Sequence, residues 1–320
     1  MIVLAAVALA ATLGAPHLMR QGRIAPAAGI GLWLSVLCLR AVLALSVAVL
    51  IVLYLPATQL FGLLTHWCFH AVIPFVTTHL GFSGHRLGDV AILVPALVAA
   101  VSLLSTTFAA WRATRAVRRW LSRSSVGSGP EETVLVGGEG ILLAAAGLRD
   151  PKVVVSAGAL CALDEPELRA GLEHERGHIA RRHRFYVLFG NLFYAVSRLL
   201  PGSASAWEHL QFHLERDADE YAVKKTGDPL ALASVICKAA TSSTRGGVAF
   251  SALGGGHVSK RLDLLLEEVP SSGFSTALAR GLAVGLLGLV LALVVSAPAL
   301  ASVGIDQLQD ARSVEHLCRG

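Results

Sequence analysis

Apolar residues fall into four long runs: Met1 to about Leu18, about Ile30 to Leu55, about Val90 to Trp111, and about Leu282 to Val303. As helices, each is long enough to cross a hydrocarbon core of about 30 Å. Between the third and fourth runs the pattern changes. Leu168, Leu172, Ile179 and further apolar positions through Phe193 recur with a helical period, which predicts one long helix from about Asp164 to about Val196. Its start is marked by Asp164 as N-cap, Glu167 closing a capping box, and Pro166 in the first turn. A second helix is predicted from about Ala206 to Thr226, ended by Gly227. Thr133 to Val136, Ile141 to Ala145 and Lys152 to Ser156 read as strands. Ser124 to Pro130, rich in Gly, Ser and Pro, reads as a linker; Gly246, Gly247 and Gly254 to Gly256 mark a loop, either a lid or a plain connection.

Composition agrees with the four runs. A hydrophobic fraction of 54% with 15% charged residues, and a mean hydropathy of +0.62, lie outside the range of an ordinary soluble domain and indicate a membrane protein. The first run has no basic segment ahead of it, and Arg20 and Arg23 follow it, so a retained span is expected rather than a cleaved signal peptide. Arg40 interrupts the second run. It is expected to face other helices or a water-filled pocket, unless the span begins nearer Ala41 and slides toward Pro56 to Leu64.

Basic residues then orient the spans. Arg20 and Arg23 follow run one, Arg112, Arg115, Arg118, Arg119 and Arg123 follow run three, and Lys260, Arg261 and Arg280 precede run four; the loop between runs two and three carries only Arg86. The positive-inside rule places the N-terminus and the short tail outside and the segment after run three in the cytoplasm. The expected organisation is three transmembrane helices and a basic flank over 1–123, a cytoplasmic domain over 124–273, a fourth transmembrane helix over 274–304 and a tail over 305–320. The net charge of +5 then argues for anionic lipid contact rather than nucleic acid.

The chemistry sits on the predicted long helix as His174-Glu175-Arg176-Gly177-His178. Histidines four apart share one helix face, so both imidazoles reach one metal ion, and Glu175 is placed to act as general base on a zinc-bound water. By itself the motif is also compatible with a structural histidine pair. Catalytic zinc sites usually take three protein ligands plus water. Glu215-Arg216-Asp217-Ala218-Asp219 on the second helix supplies Glu215 as third ligand, with Asp219 on the same face to hold a ligand histidine from behind. Read alone, these acids are surface charges of an amphipathic helix. Beside the histidine motif, one Zn2+ per chain is the expectation.

The order Pro151-Lys152-Val153-Val154-Val155-Ser156, Leu163-Asp164-Glu165-Pro166-Glu167-Leu168, His174-Glu175-Arg176-Gly177-His178 and Glu215-Arg216-Asp217-Ala218-Asp219 resembles the gluzincin membrane peptidases. These include the antirepressor peptidase domains of bacterial β-lactam sensor-transducers and, more distantly, the HtpX-type and CAAX prenyl endopeptidases; three spans before the domain and one after look most like the sensor-transducer branch. The resemblance implies a multi-pass α-helical membrane protein of about four spans with a cytoplasmic, mainly helical α+β zincin domain carrying a small β-sheet. It implies zinc ligands His174, His178 and Glu215, general base Glu175, and Asp219 in support. It also implies a cell-membrane metalloendopeptidase acting on a protein or peptide substrate, a transcriptional repressor among the possibilities, in regulated cleavage or in general quality control. The rival class is a signalling or scaffold protein with structural or absent zinc.

Other residues fit less directly. The stretch from His257 to Leu262 is similar to an element of the HtpX and prenyl-protease branches, which makes His257 and Arg261 either oxyanion stabilisers or solvated residues before a span. His183 stands where relatives commonly carry an acid and has no role in this reading. The seventeen residues after Val303 leave no room for a folded sensor domain, so any signal is expected through the spans, the loop from Pro56 to Leu87, or a separate protein. That loop carries His66 and His70 around Cys68, a metal or haem sensor pair or an interfacial cluster; His209 and His213 read as structural. The five cysteines, Cys38, Cys68, Cys161, Cys237 and Cys318, show no paired spacing.

Overall fold

The computed structural model describes residues 14, 16–54, 97, 100–101, 103–109, 111–112, 114–116, 119–120, 122–147, 151–243, 257–267, 272–292 and 295. Most of the first apolar run, most of the third, the 56–87 loop with His66, Cys68 and His70, the glycines between 246 and 256, the C-terminal half of the fourth run and Cys318 lie outside the described residues.

A long apolar helix, α1 (Pro26–Tyr54), precedes the sheet. Strands β1 (Ser125–Ser128), β2 (Val134–Val136), β3 (Leu143–Ala146) and β4 (Lys152–Ser156) form one sheet in the order β1-β2-β4-β3. Strands β2 and β4 are parallel, with Val134 opposite Val154, while β1 and β3 pair antiparallel at the two edges. The Ser124 to Pro130 segment is therefore no free linker. Ser125 to Ser128 take an edge position because β2 has one ladder still open, and backbone pairing overrides their weak strand propensity.

Six helices follow: α2 (Ala157–Ala162), α3 (Glu165–Ala180), α4 (His183–Ser197), α5 (Ser203–Thr226), α6 (Pro229–Ser243) and α7 (Val258–Leu266). A last helix, α8, covers Gly273–Ala292. The Asp164 capping box forms as the sequence predicts, with Asp164 accepting from the Glu167 backbone and Glu167 from that of Asp164. Gly227 stops α5 at φ 71, a left-handed conformation cheap only for glycine.

The expected helix layout needs one correction. The single helix from Asp164 to Val196 is two helices, broken where Arg182 takes φ 56 and its backbone leaves the right-handed helical path. The last apolar helix begins at Gly273, next to the expected boundary at 274 and nine residues ahead of the apolar run; Ser272 N–H bonds Arg23 C=O and Thr276 Oγ1 accepts from Ala25 N–H, which fixes its first turn beside the start of α1.

One core lies between α1, α4, α5 and α8, where Leu32, Trp33, Val36, Leu37, Leu210 and Leu286 are buried together. A second joins the sheet to α3 and α6 through Val153, Val155, Leu172 and Val235, and a third joins α3, α5, α6 and α7 through Ala170, Ala222, Leu232 and Ile236. Among the described residues, two helices are long and apolar enough to cross a membrane, Pro26–Ser46 and Gly273–Ala292. Arg40 is buried against other elements, donating to Pro201 C=O between α4 and α5.

Glu167 ties α3 to α6. Beyond its capping bond it accepts from Ser234 Oγ at 2.6 Å and Lys238 Nζ at 2.6 Å, and the bonds from Lys238 and Ser234 hold its carboxyl down to about 2. A folded-state value below the ordinary 4.5 means stability present above about pH 4.5 and lost as pH falls toward 2. Glu167→Gln is expected to cost about 1.5–3 kcal/mol at neutral pH, the usual worth of charged hydrogen bonds. Unfolding curves across pH are expected to converge with the wild type in the acid range.

Candidate metal centre

Helix α3 carries His174, Glu175 and His178, and α5 crosses it closely enough to deliver Glu215. The closeness has a sequence cause in Gly177: a Cβ there would sit 3.2 Å from Ala218 Cα and 3.3 Å from Ala218 O, backbone that has no room to give. His174 Nε2 and His178 Nε2 lie 3.2 Å apart, Glu215 Oε2 is 3.5 Å from the first and Glu215 Oε1 is 3.6 Å from the second. One ligand atom from each falls within 4.8 Å of the others.

This donor set fits zinc. Two imidazole nitrogens and a carboxylate converge on one point, and two histidines with one acid leave a coordination position open for water. Electrostatics agree: burial lowers His178 to about 3, which keeps its lone pair free, whereas for His174 the same burial effect is outweighed by Asp219 and Glu215, raising it to about 10. A metal ion bound by His174 would take the place of the proton that these carboxylates favour on its ring.

Behind the donors stands Arg261 of α7. Its Nε and Nη2 donate to Asp219 at 2.9 and 2.7 Å, and its Nη1 donates to Glu215 Oε2 at 2.8 Å. Asp219 Oδ1 lies 2.9 Å from His174 Nδ1, backing that ring. Burial pushes both carboxyls up, but Arg261 and then the histidines outweigh it and hold Glu215 and Asp219 below the usual carboxylate range. Arg261 is buried in this network; His257 packs its ring 5.2 Å from Phe212 and stands outside the cavity lining.

Glu175 faces the sheet. Its Oε2 accepts from the Ala145 N–H of edge strand β3 at 2.7 Å, and burial raises its carboxyl to about 7. A carboxyl poised there both takes and returns a proton at neutral pH. The groups open onto a cavity of about 810 Å³ walled by β3, α3, α4, α6 and α7, with Leu143, Val187, Ile236 and Val258 among its apolar lining.

Two polar residues not assigned from sequence join the site: His183 stands with its Nδ1 2.8 Å from His178 Nδ1, and Asp217 has Oδ2 3.0 Å from His183 Nε2. Neither was legible in linear spacing. On α5, Asp217 is two residues from both Glu215 and Asp219, about 200° round the helix, and His183 reaches His178 only across the break at Arg182. The histidine pair of α5 serves packing: His213 meets Gln21 Oε1 at 3.0 Å, and His209 stacks on Trp33 at 4.5 Å between ring centroids.

In comparison with known families, residues 112–213 fit the model of peptidase family M48, which supports a peptidase of the metalloprotease class. The matched stretch includes His174, Glu175 and His178 and ends two residues before Glu215. No curated protein and no solved structure matches.

Removing Arg261 leaves the buried Asp219 carboxylate facing the half-buried Glu215 carboxylate without their shared cation. Arg261→Met is expected to cost about 3–5 kcal/mol of stability, as breaking a buried ion pair does, read by unfolding of the metal-free protein in chelator. Unchanged stability with lost turnover would instead assign Arg261 to the oxyanion.

Proposed function

We propose that this chain is a membrane-anchored zinc endopeptidase whose catalytic domain cuts protein substrates at the cytoplasmic face. The observation that carries the reading is the meeting of His174, His178 and Glu215 within 4.8 Å, with Glu175 beside them, on a cavity bordered by an open sheet edge.

His174, His178 and Glu215 would hold the zinc ion, which when bound acidifies a coordinated water and polarises the scissile carbonyl. Glu175 accepts the proton of the attacking water and returns it to the leaving amine. To do so it lets go of Ala145 N–H. That amide, turned away from β4, then becomes available to a substrate backbone docking alongside β3 as an added strand. The apolar cavity wall selects apolar side chains and keeps water sparse around the reacting bond. Asp219 holds His174, and Arg261 keeps Asp219 and Glu215 ionised.

Membrane anchoring is supported by α1 and α8 and by apolar surface next to them. Phe185, Tyr186, Leu188 and Phe189 on α4, and Val284, Leu287 and Leu291 on α8, are exposed. Lipid is the partner that such surface fits. The arginines after residue 111 and before residue 281 favour a cytoplasmic catalytic domain, and four spans follow if the first and third apolar runs also cross. The scaffold alternative is disfavoured by the donors themselves: a structural zinc site is normally closed by four protein ligands, often cysteines, whereas this one has three and an acid beside the open position.

Metal content and casein hydrolysis on the same detergent-purified samples test the reading. The wild type and Glu175→Gln are expected to carry about one zinc per chain and His178→Ala essentially none, with hydrolysis only in the wild type. Proteolysis retained in Glu175→Gln refutes the general-base role, and a wild type without zinc refutes the whole mechanism.

A further inference from the structure

We propose that His183 is a positioning residue for the metal ligand His178, and that Asp217 fixes His183 in turn, so that one ligand histidine is oriented through a second imidazole. The inference rests on the zinc reading above. His178 turns Nε2 toward His174 Nε2, 3.2 Å away, and toward Glu215 Oε1, 3.6 Å away, which makes Nε2 its ligand atom. Its Nδ1 faces outward, 2.8 Å from His183 Nδ1, and His183 Nε2 lies 3.0 Å from Asp217 Oδ2. His183 is 2% exposed and Asp217 4%, so neither ring nor carboxylate has water as an alternative partner.

Proton bookkeeping along this chain has one consistent solution. An imidazole that gives its Nε2 lone pair to a metal keeps its proton on Nδ1. His178 Nδ1–H therefore donates to His183 Nδ1, and the His183 proton sits on Nε2, where Asp217 accepts it. Reversing the first bond would move the His178 proton onto Nε2 and remove the ligand atom. It would also leave a neutral His183 presenting a bare lone pair to the Asp217 carboxylate. Asp217 thus fixes the tautomer of His183, and His183 fixes that of His178.

The break between α3 and α4 follows from the same contact. In an unbroken helix, five residues carry His183 about 140° round from His178. The left-handed Arg182 ends α3 and starts α4 so that the first residue of α4 returns to the histidine it follows. A non-glycine residue in that conformation is an outlier that the surroundings must enforce. The two ligand histidines are consequently supported differently: His174 meets the Asp219 carboxylate directly, whereas His178 meets the charge of Asp217 one ring removed.

The test compares full-length wild type with His183→Leu, His183→Gln, Asp217→Ala and the His183→Leu/Asp217→Ala double variant. Zinc affinity is read by competition with a chromogenic chelator, the ligand field by the visible absorption of the Co2+-loaded protein, and folding by the unfolding midpoint of the metal-free samples. His183→Leu, which has no acceptor, is expected to bind zinc about 10–100-fold more weakly and to shift the cobalt bands. His183→Gln offers a carbonyl oxygen to His178 Nδ1–H and is expected to recover most of that loss. Asp217→Ala weakens zinc as well, and the double variant is no weaker than His183→Leu alone, because both act through one chain.

Zinc affinity and cobalt spectra at wild-type values in the folded variants, with only the metal-free midpoint lowered, overturn the proposal. So do additive losses in the double variant, or a Gln variant as weak as Leu. If His183→Leu does not fold, His183→Gln and Asp217→Ala decide: unchanged zinc affinity in Asp217→Ala, or a Gln variant without zinc, overturns it. A wild type that binds no zinc instead removes the metal reading itself.

Discussion

Three acids within five residues of one helix set the terms for the rest of the structure. Asp217 and Asp219 are buried and Glu215 is half-buried beside them, and a carboxylate taken out of water is tolerated only when a donor or a positive charge meets it. All three have such partners. Asp219 meets Arg261 and His174, Glu215 meets Arg261 and the two ligand histidines, and Asp217 meets His183, with Arg181 at 3.8 Å beyond. Helices α3, α4 and α7 are placed where they can supply those partners. A metal ion held by His174, His178 and Glu215 would add a further positive charge beside these acids while leaving Glu175 free.

The apolar helices contribute to that arrangement. Arg216, next to the first ligand acid, turns the other way and donates to the carbonyls of Gln21, Gly22 and Ile24 just ahead of α1. His213 and Trp33 both bond Gln21 Oε1 from opposite elements. Helix α5 is therefore clamped between α1 on one side and α3 on the other, and any movement of α1 acts on the helix that carries Glu215. A domain packed this tightly on its apolar helix is a different object from one tethered by a flexible linker.

The sheet contributes an edge more than a core. Strand β3 has a ladder partner on one side only, and its free side faces the metal helix, where Glu175 occupies the Ala145 amide. In the proposed reaction Glu175 would share the Ala145 amide with a docking substrate strand, which would couple docking to release of the general base.

Much of this was readable along the chain because the relevant spacings are local. Asp164 and Glu167 sit one turn apart and cap α3; His174 and His178 share a face by helical geometry; Gly227 ends α5 by its backbone freedom. Such relations hold wherever the helix happens to lie. The third donor was legible only as an acid of the right kind on a neighbouring helix, and its distance from the histidines depends on Gly177 letting two backbones approach. His183, Asp217 and the double grip of Arg261 had no linear signature, since each depends on a helix break, a helix crossing or a segment arriving more than forty residues later. Short-range periodicity fixes which side chains share a face, whereas long-range packing decides which faces meet, and at this site the buried charges are satisfied only once those faces have met.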